Sequence, residues 1–329
     1  MKVAINGFGR IGRAAAKIIL EKNNLELVAV NDLSDIGTLA HLLKYDSCYG
    51  IYSREIKTDK DSLLVNNRRI KFLSEKDPRN LPWKKLGVDV VIESTGAFLS
   101  KERSRTHLQA GAKRVILSAP AKDDDIPTYI VGVNSDKYSG EKIVSNASCT
   151  TNCVTPIMDV LEKKIGIQKA LMTTVHSYTA DQNLVDGPHK DLRRARSGAY
   201  NIVPTTTGAA RTTAKVIPKL RNKFDGLSIR VPTPVVSISD VVALTRRDTT
   251  VLEINGALLQ ASEGSHWGII TASNQPLVST DLIGDSSSAI VDLQLTQVVD
   301  GNLIKVVAWY DNEWGYSNRL VELAEIVGK

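Results

Sequence analysis

The sequence predicts an α/β protein of two domains. One is built on an open parallel sheet with helices on both faces, and the other is an α+β unit on a mixed, largely antiparallel sheet. Three observations carry this expectation. The chain has 329 residues, about twice the length of a typical single domain. In its first half, short apolar runs alternate with stretches of helical periodicity, the pattern of βαβ units. In its second half the apolar runs are long and separated by helical stretches, which fits a mixed sheet covered on one face. With 42% apolar and 24% charged residues, the composition supports ordinary cores and excludes collagen-like, low-complexity or wholly disordered chains.

Residues 3–5 read as a strand that enters a glycine-rich turn and then a helix with Ile11, Ala14, Ala15, Ile18 and Ile19 on one face. Residues 26–30 form a second strand ending at Asn31 and Asp32, and residues 88–92 a third ending at 93–96. A helix over 101–110 precedes strands at 114–117 and 129–131. Residues 51–53 and 63–65 interrupt this rhythm as antiparallel inserts, and Asp123, Asp124 and Asp125 read as a solvated loop. A strand at 143–145 leads into a helix from about Cys149 to Lys164. Long strands follow at 170–177, 227–232, 235–246 and 303–310, with helices near 208–217 and 250–261. The last helix, 314–327, has Leu320, Leu323, Ala324 and Val327 at helical spacing. The expected domains are 1–148 with 313–329, and 149–312. Residues 178–204 lack periodicity, and a loop of that length inside a compact chain is usually functional.

Lys+Arg 42 against Asp+Glu 36 gives a net charge of +6. So mild an excess suits nucleic acid, a membrane surface or phosphorylated small molecules equally. Three cysteines are too few for a disulfide scaffold and point to a reduced, intracellular protein. The N-terminus lacks the apolar stretch of a signal peptide, and no run approaches the length of a membrane span. Cytoplasmic location is therefore expected. No zinc, EF-hand or Walker spacing is present, and no metal is expected.

Gly7-Phe8-Gly9-Arg10-Ile11-Gly12 fits G-x-G-x-x-G between a strand and a helix, with Asp32 at the end of the next strand. In that context the pattern predicts a Rossmann-type dinucleotide site. Gly7 permits the tight turn, Gly9 lets a pyrophosphate approach the backbone, and Gly12 permits close helix–strand packing. The helix N-terminus offers free N–H donors to the anion. Asp32 accepts from ribose hydroxyls and repels a 2′-phosphate, which favours NAD over NADP. Thr95, Gly96 and Ser118 end two further strands, where open parallel sheets bind ligands.

Cys149 stands where a strand passes into a helix, a setting that lowers a thiol pKa and makes it the candidate nucleophile. Cys153, one turn later, reads as structural. A catalytic cysteine needs a base beside it, and His176, at the end of the following strand, leads over His41, His107, His189 and His266. Thr205, Thr206, Thr207 and Gly208 precede a helix and suit a phosphate. Arg193, Arg194 and Arg196 lie in the long loop, and Arg230 ends a strand; all suit an anionic substrate or, for the loop cluster, RNA.

Ser145-Asn146-Ala147-Ser148-Cys149-Thr150-Thr151-Asn152-Cys153 resembles the phosphorylating glyceraldehyde-3-phosphate dehydrogenase family. So do residues 6–13, 93–96, 118–120, 176–179, 186–188, 206–210, 230–234 and 309–317, in order along nearly the whole chain. The resemblance implies oxidation of glyceraldehyde 3-phosphate by NAD through a Cys149 hemithioacetal and acyl-thioester. His176 would be the base, and inorganic phosphate would release 1,3-bisphosphoglycerate. It implies Thr179, Arg194 and Arg230 as partners of the substrate phosphate, with Asp181 orienting Arg230. Ser148, Thr150, Thr207 and Gly208 would form the second anion site. Gly7, Gly9, Arg10, Ile11, Asp32, Lys76, Thr95, Ser118 and Asn312 would serve NAD. Residues 178–200 resemble the family's S-shaped loop, which lies against a neighbouring subunit's cofactor in a homotetramer.

Lys76 replaces an arginine common in the family, Ala180 an asparagine and Cys48 a valine; none of these concerns the Cys–His pair. Leu33 with Gly187 and Pro188 resembles the NAD-specific pattern. The alternatives are erythrose-4-phosphate dehydrogenase, a relative with the same pair, and a nucleic-acid-binding side role. Nucleic acid is not expected as the primary partner.

Overall fold

The computed structural model describes all 329 residues. They form two units, one of Met1–Tyr129, Asn134–Ala147 and Ser317–Lys329, the other of Ile130–Val133 and Ser148–Tyr316. The expected boundary at 313 differs from this division because residues 313–316 pack with the second unit. A side chain at Gly315 would meet the Ser287 carbonyl at 2.4 Å, so only glycine allows that approach.

The first unit holds an eight-stranded sheet. Across it run Ile143–Ser145, Arg114–Leu117, Val90–Glu93, Lys2–Asn6, Glu26–Asn31 and Arg68–Leu73, all parallel to their neighbours. Ser62–Val65 and Ile56–Asp59 extend the edge antiparallel. The turn into Arg68–Leu73 is made by Asn66 and Asn67 at φ 45° and 65°, the paired left-handed geometry of a two-residue hairpin. The Arg10–Glu21 helix buries Ala14, Ala15, Ala16, Ile18, Ile19 and Leu20. Trp83, Val88, Val91, Ala4 and Ala29 form part of the core.

Several local expectations are revised. The Ile36–Lys44 helix was not anticipated; Asp35 caps it by accepting from the Thr38 amide at 2.8 Å. Residues 129–131 are not a strand. Thr128 makes one isolated bridge to Ser145, and Gly132 at φ +84° turns the chain. The acidic loop is largely exposed, as expected, and is anchored as well: Asp123 accepts from the Lys101 amide and Asp125 pairs with the Lys101 ammonium.

The second unit carries a mixed sheet in the order Val203–Thr206, Phe224–Val231, Ile167–Ser177, Ser237–Thr245, Leu303–Tyr310, Ala289–Asp292 and Ile270–Ser273. Phe224–Val231 runs parallel to Ile167–Ser177, and Ser237–Thr245 antiparallel to it. The Cys149–Lys164 helix covers one face and is buried along most of its length. Its Val154, Ile157, Met158 and Leu161 share a core with Met172, Val241, Val306 and Ile254. The side chains of Leu171 and Leu227 are exposed.

Candidate active site

The second unit brings Cys149, His176 and Arg230 together by register. Ile167–Ser177 and Phe224–Val231 pair in parallel with His176 opposite Arg230, so the ring and the guanidinium project from neighbouring strand ends. Cys149 opens the helix whose N-cap is Ser148; the Ser148 hydroxyl accepts from the Thr151 amide at 3.1 Å. Immediately before it, Ala147 sits at φ +56°, a left-handed conformation that costs a non-glycine residue about 1 kcal/mol or more. Strain at that point delivers the thiol to the helix terminus.

Cys149 Sγ lies 3.4 Å from His176 Nε2. His176 Nδ1 lies 2.7 Å from the Ser177 carbonyl and 3.2 Å from Arg230 Nη1. The carbonyl, an acceptor only, is the nearer partner and places the proton on Nδ1, so Nε2 presents its lone pair to the sulfur. The other four histidines are elsewhere: His107 on Glu93, His189 beside Asp181, His266 beside Asp159 and His41 against Tyr45. The tautomer-setting residue is itself fixed. The Ser177 amide donates to Ser237 Oγ at 3.1 Å, and the Ser177 and Ser237 hydroxyls both donate to Asn312 Oδ1. Tyr310 packs edge-on to the His176 ring, and its hydroxyl joins Thr150 at 2.9 Å and Thr174 at 2.8 Å. Ser177 and Tyr310 join the site beyond the expected residues, although both lie in stretches that carry the family resemblance, 176–179 and 309–317.

The electrostatics reverse one expectation. Desolvation of the partly buried Cys149 pushes its thiol up, outweighing the Arg230 charge and the Thr150 donors. Burial first, and then the Arg230 charge, pull His176 down to about 3. The resting pair is therefore thiol and neutral imidazole, with the imidazole placed as base. Cys153 is fully buried and its thiol is raised by burial, in keeping with a structural residue.

Arg230 Nη1 donates to the Ser177 carbonyl and Thr179 Oγ1, both at 3.2 Å, and lies at the same distance from His176 Nδ1. It forms no ion pair with a carboxylate, and its buried Nε has no partner. A half-buried cation so placed is ready for an anion. Asp181 does not orient it by contact. The Asp181 carboxylate instead pairs with Arg194 Nη1, while Arg194 Nε donates to Thr205 Oγ1 at 2.9 Å and Nη2 to the Thr206 carbonyl at 3.2 Å. The correction has a local cause: Asp181 and Arg194 share the 178–200 loop. Thr207 Oγ1 accepts from the Ala209 amide at 3.2 Å, and Gly208 leaves open space where a side chain would stand.

In the first unit a cavity of about 1080 Å³ opens at the strand ends, lined by Asn6, Gly7, Gly9, Asn31, Asp32, Leu33, Lys76 and Thr95 among others. Of the expected cofactor residues, Arg10, Ile11 and Ser118 do not line it; Arg10 pairs with Asp46 at 3.0 Å. Asn312, in the second unit, is buried on the two serines. The glycines fit a dinucleotide. Gly7 has φ +94°, Gly12 would clash with the Gly7 carbonyl at 2.1 Å if it carried a side chain, and Gly9 faces no protein atom within 4 Å. Gly9 also caps the Arg10–Glu21 helix without a side chain, so none competes for its terminal N–H groups. Asp32 accepts from the Phe8 amide at 2.7 Å and the Ser34 amide at 2.9 Å. Burial works against its carboxylate, but these donors prevail and hold it below its ordinary value.

A glycine-turn dinucleotide cavity, together with a cysteine beside a histidine, fits an NAD-dependent dehydrogenase. Residues 1–101 match the family described as glyceraldehyde 3-phosphate dehydrogenase, NAD binding domain, and residues 148–312 match its C-terminal domain. The chain is 52% identical over 329 residues to the glyceraldehyde-3-phosphate dehydrogenase of Geobacillus stearothermophilus, covering 99% of this chain and 98% of the relative. It is 53% identical over 334 residues to glyceraldehyde-3-phosphate dehydrogenase 2 of Trichormus variabilis, covering 100% and 99%. It is 50% identical over 331 residues to glyceraldehyde-3-phosphate dehydrogenase 1 of Bacillus subtilis, covering 100% and 98%. The chain belongs to the glyceraldehyde-3-phosphate dehydrogenase family.

Proposed function

We propose that this protein converts D-glyceraldehyde 3-phosphate, NAD and inorganic phosphate into 1,3-bisphosphoglycerate and NADH. The observation that carries the reading is the Cys149 thiol 3.4 Å from the lone pair of His176 Nε2, beside an arginine without a carboxylate partner. Cys149 Sγ attacks the aldehyde carbon as its proton passes to Nε2, and that proton then neutralises the alkoxide to give a hemithioacetal. His176 next takes the hydroxyl proton of the adduct. Bound NAD supplies the acceptor for the hydride leaving the same carbon, and an acyl thioester remains on Sγ. A phosphate oxygen attacks the thioester carbon, the C–S bond breaks, and the departing sulfur recovers a proton from the imidazolium.

Arg230 and Thr179 hold the phosphate of the aldehyde, and Arg194 joins them by exchanging Asp181 for the anion. Ser148, Thr150, Thr207 and Gly208 receive the attacking phosphate. The relatives' names do not favour a four-carbon substrate.

A homotetramer is supported by the apolar side chains Leu184, Val185, Leu192, Tyr200 and Ile202, all exposed in or beside the long loop. Leu171 and Leu227 on the open sheet face add to them. No helix is long and apolar enough to cross a membrane, and cytoplasmic location is part of the proposal. The test is NADH formation with phosphate, with arsenate and with neither. Dependence on one of the two anions supports the reading, and equal rates without them overturn it.

A further inference from the structure

We propose that Glu93 is a positioning residue for the cofactor, a buried carboxylate behind the NAD cavity that holds two of its walls in register. The proposal rests on NAD as the cofactor of that cavity. Glu93 and His107 are both fully buried, and neither lines the cavity. Glu93 Oε1 accepts from the Thr95 amide at 2.8 Å and from the Thr95 hydroxyl. Its Oε2 accepts from Asn6 Nδ2 at 2.6 Å and faces His107 Nε2 at 2.9 Å. The remaining His107 nitrogen settles the direction of that last bond. Trp83 Nε1, which can only donate, lies 3.1 Å from His107 Nδ1, so the ring proton is on Nε2 and points to Glu93.

All four acceptor positions of one carboxylate are thus filled, and three of the donors belong to two cavity-lining residues, Thr95 and Asn6, at the ends of different strands. The chain of bonds continues along the wall. Asn31 Nδ2 donates to Asn6 Oδ1 at 2.7 Å, and Asn31 Oδ1 accepts from the Glu75 amide at 2.8 Å. Phe98, another lining residue, packs edge-on to the His107 ring. Asn6, Asn31, Glu75 and Thr95 therefore take their positions from a polar spine whose fixed point is Glu93. An amide at position 93 sets its NH₂ either against the Thr95 amide, an obligate donor, or against the Asn6 Nδ2 and His107 Nε2 donors, so the spine must break on the Thr95 side or on the Asn6 side.

The experiment compares wild type, Glu93→Gln, His107→Leu and His107→Gln as full-length proteins. NAD is titrated calorimetrically, and Tm and steady-state constants are measured in parallel. Glu93→Gln should weaken NAD binding at least about tenfold, the effect of roughly one lost buried hydrogen bond to a charged group. Its kcat at saturating NAD and its KM for the aldehyde should stay within about twofold of wild type. His107→Leu should weaken NAD in the same direction. His107→Gln, whose amide N–H can replace Nε2–H, should bind NAD more tightly than His107→Leu. An unchanged NAD Kd in folded Glu93→Gln overturns the proposal, as does a matching loss in aldehyde KM. Should Glu93→Gln fail to fold, equal NAD affinity in His107→Leu and wild type overturns it instead. A wild-type protein that binds no NAD refutes the cofactor reading beneath it.

Discussion

Replacing Arg230 with leucine separates substrate anchoring from chemistry. The guanidinium has hydrogen bonds to the Ser177 carbonyl and Thr179 Oγ1 but no carboxylate partner, and its Nε is buried and unpaired. Arg194, by contrast, is already neutralised by Asp181. Arg230 is therefore the main uncompensated charge available to the substrate phosphate. A hydrogen bond to a charged group contributes about 1.5–3 kcal/mol. At the upper end its loss lowers kcat/KM for glyceraldehyde 3-phosphate about 150-fold. Unphosphorylated glyceraldehyde lacks the group that Arg230 holds, so its kcat/KM should fall far less. Initial rates of NADH formation with both aldehydes decide the matter, and equal losses for the two would refute anchoring as the role of Arg230.

The same substitution has a signed effect on pH dependence. The Arg230 charge lowers both the Cys149 thiol and the His176 imidazolium pKa, because a nearby cation favours loss of each proton. In Arg230→Leu the pH profile of kcat/KM for glyceraldehyde should move to higher pH, and Arg230→Lys should restore much of the shift. A move to lower pH contradicts the geometry, since it would require the guanidinium to stabilise bound protons.

Two further predictions use the glycine turn and the buried histidine. Gly9→Ala should leave Tm nearly unchanged, since the added carbon meets no protein atom within 4 Å, yet it should weaken NAD by filling the pyrophosphate approach. Gly12→Ala should instead lower Tm, its new carbon meeting the Gly7 carbonyl at 2.1 Å; similar Tm and NAD affinity for the two variants would contradict this division. His176 is depressed from 6.5 to about 3, so the unfolded chain binds the extra proton between those values and stability falls as pH drops from 6.5 toward 3. By pH 4.5 this amounts to about 2.7 kcal/mol. Urea unfolding of His176→Asn should show a smaller loss between pH 7 and 4.5, and an equal loss in both proteins would mean that His176 is charged in the fold.

The strand–glycine–helix start and the Cys149–Lys164 helix were legible because periodicity and turn chemistry are local. Cys149, His176 and Arg230 were legible as residue types at element ends, and the parallel register of two strands then brought the last two side by side. What escaped reading was pairing. Asp181 shares its loop with Arg194, but the residue order does not say that it meets that arginine in preference to Arg230, which comes from a separate strand; the path of the loop decides. Glu93 reads as the end of a strand, and of its partners only Thr95, two residues on, is local; Asn6 and His107 come from another strand and a helix.

The thiol shows most clearly why enclosure matters beyond motif. A helix terminus and a neighbouring cation both favour a thiolate, and both are readable from residue order. Desolvation opposes them, and its size depends on how completely the surrounding elements close over Sγ. Desolvation prevails here although Cys149 is only partly buried, leaving a protonated nucleophile beside a neutral base. An anion bound at Arg230 would cancel part of the charge that depresses His176 and make that base stronger. The same anion raises the Cys149 thiol too, so the substrate phosphate shifts the two groups together, and proton transfer between them rests on their direct contact.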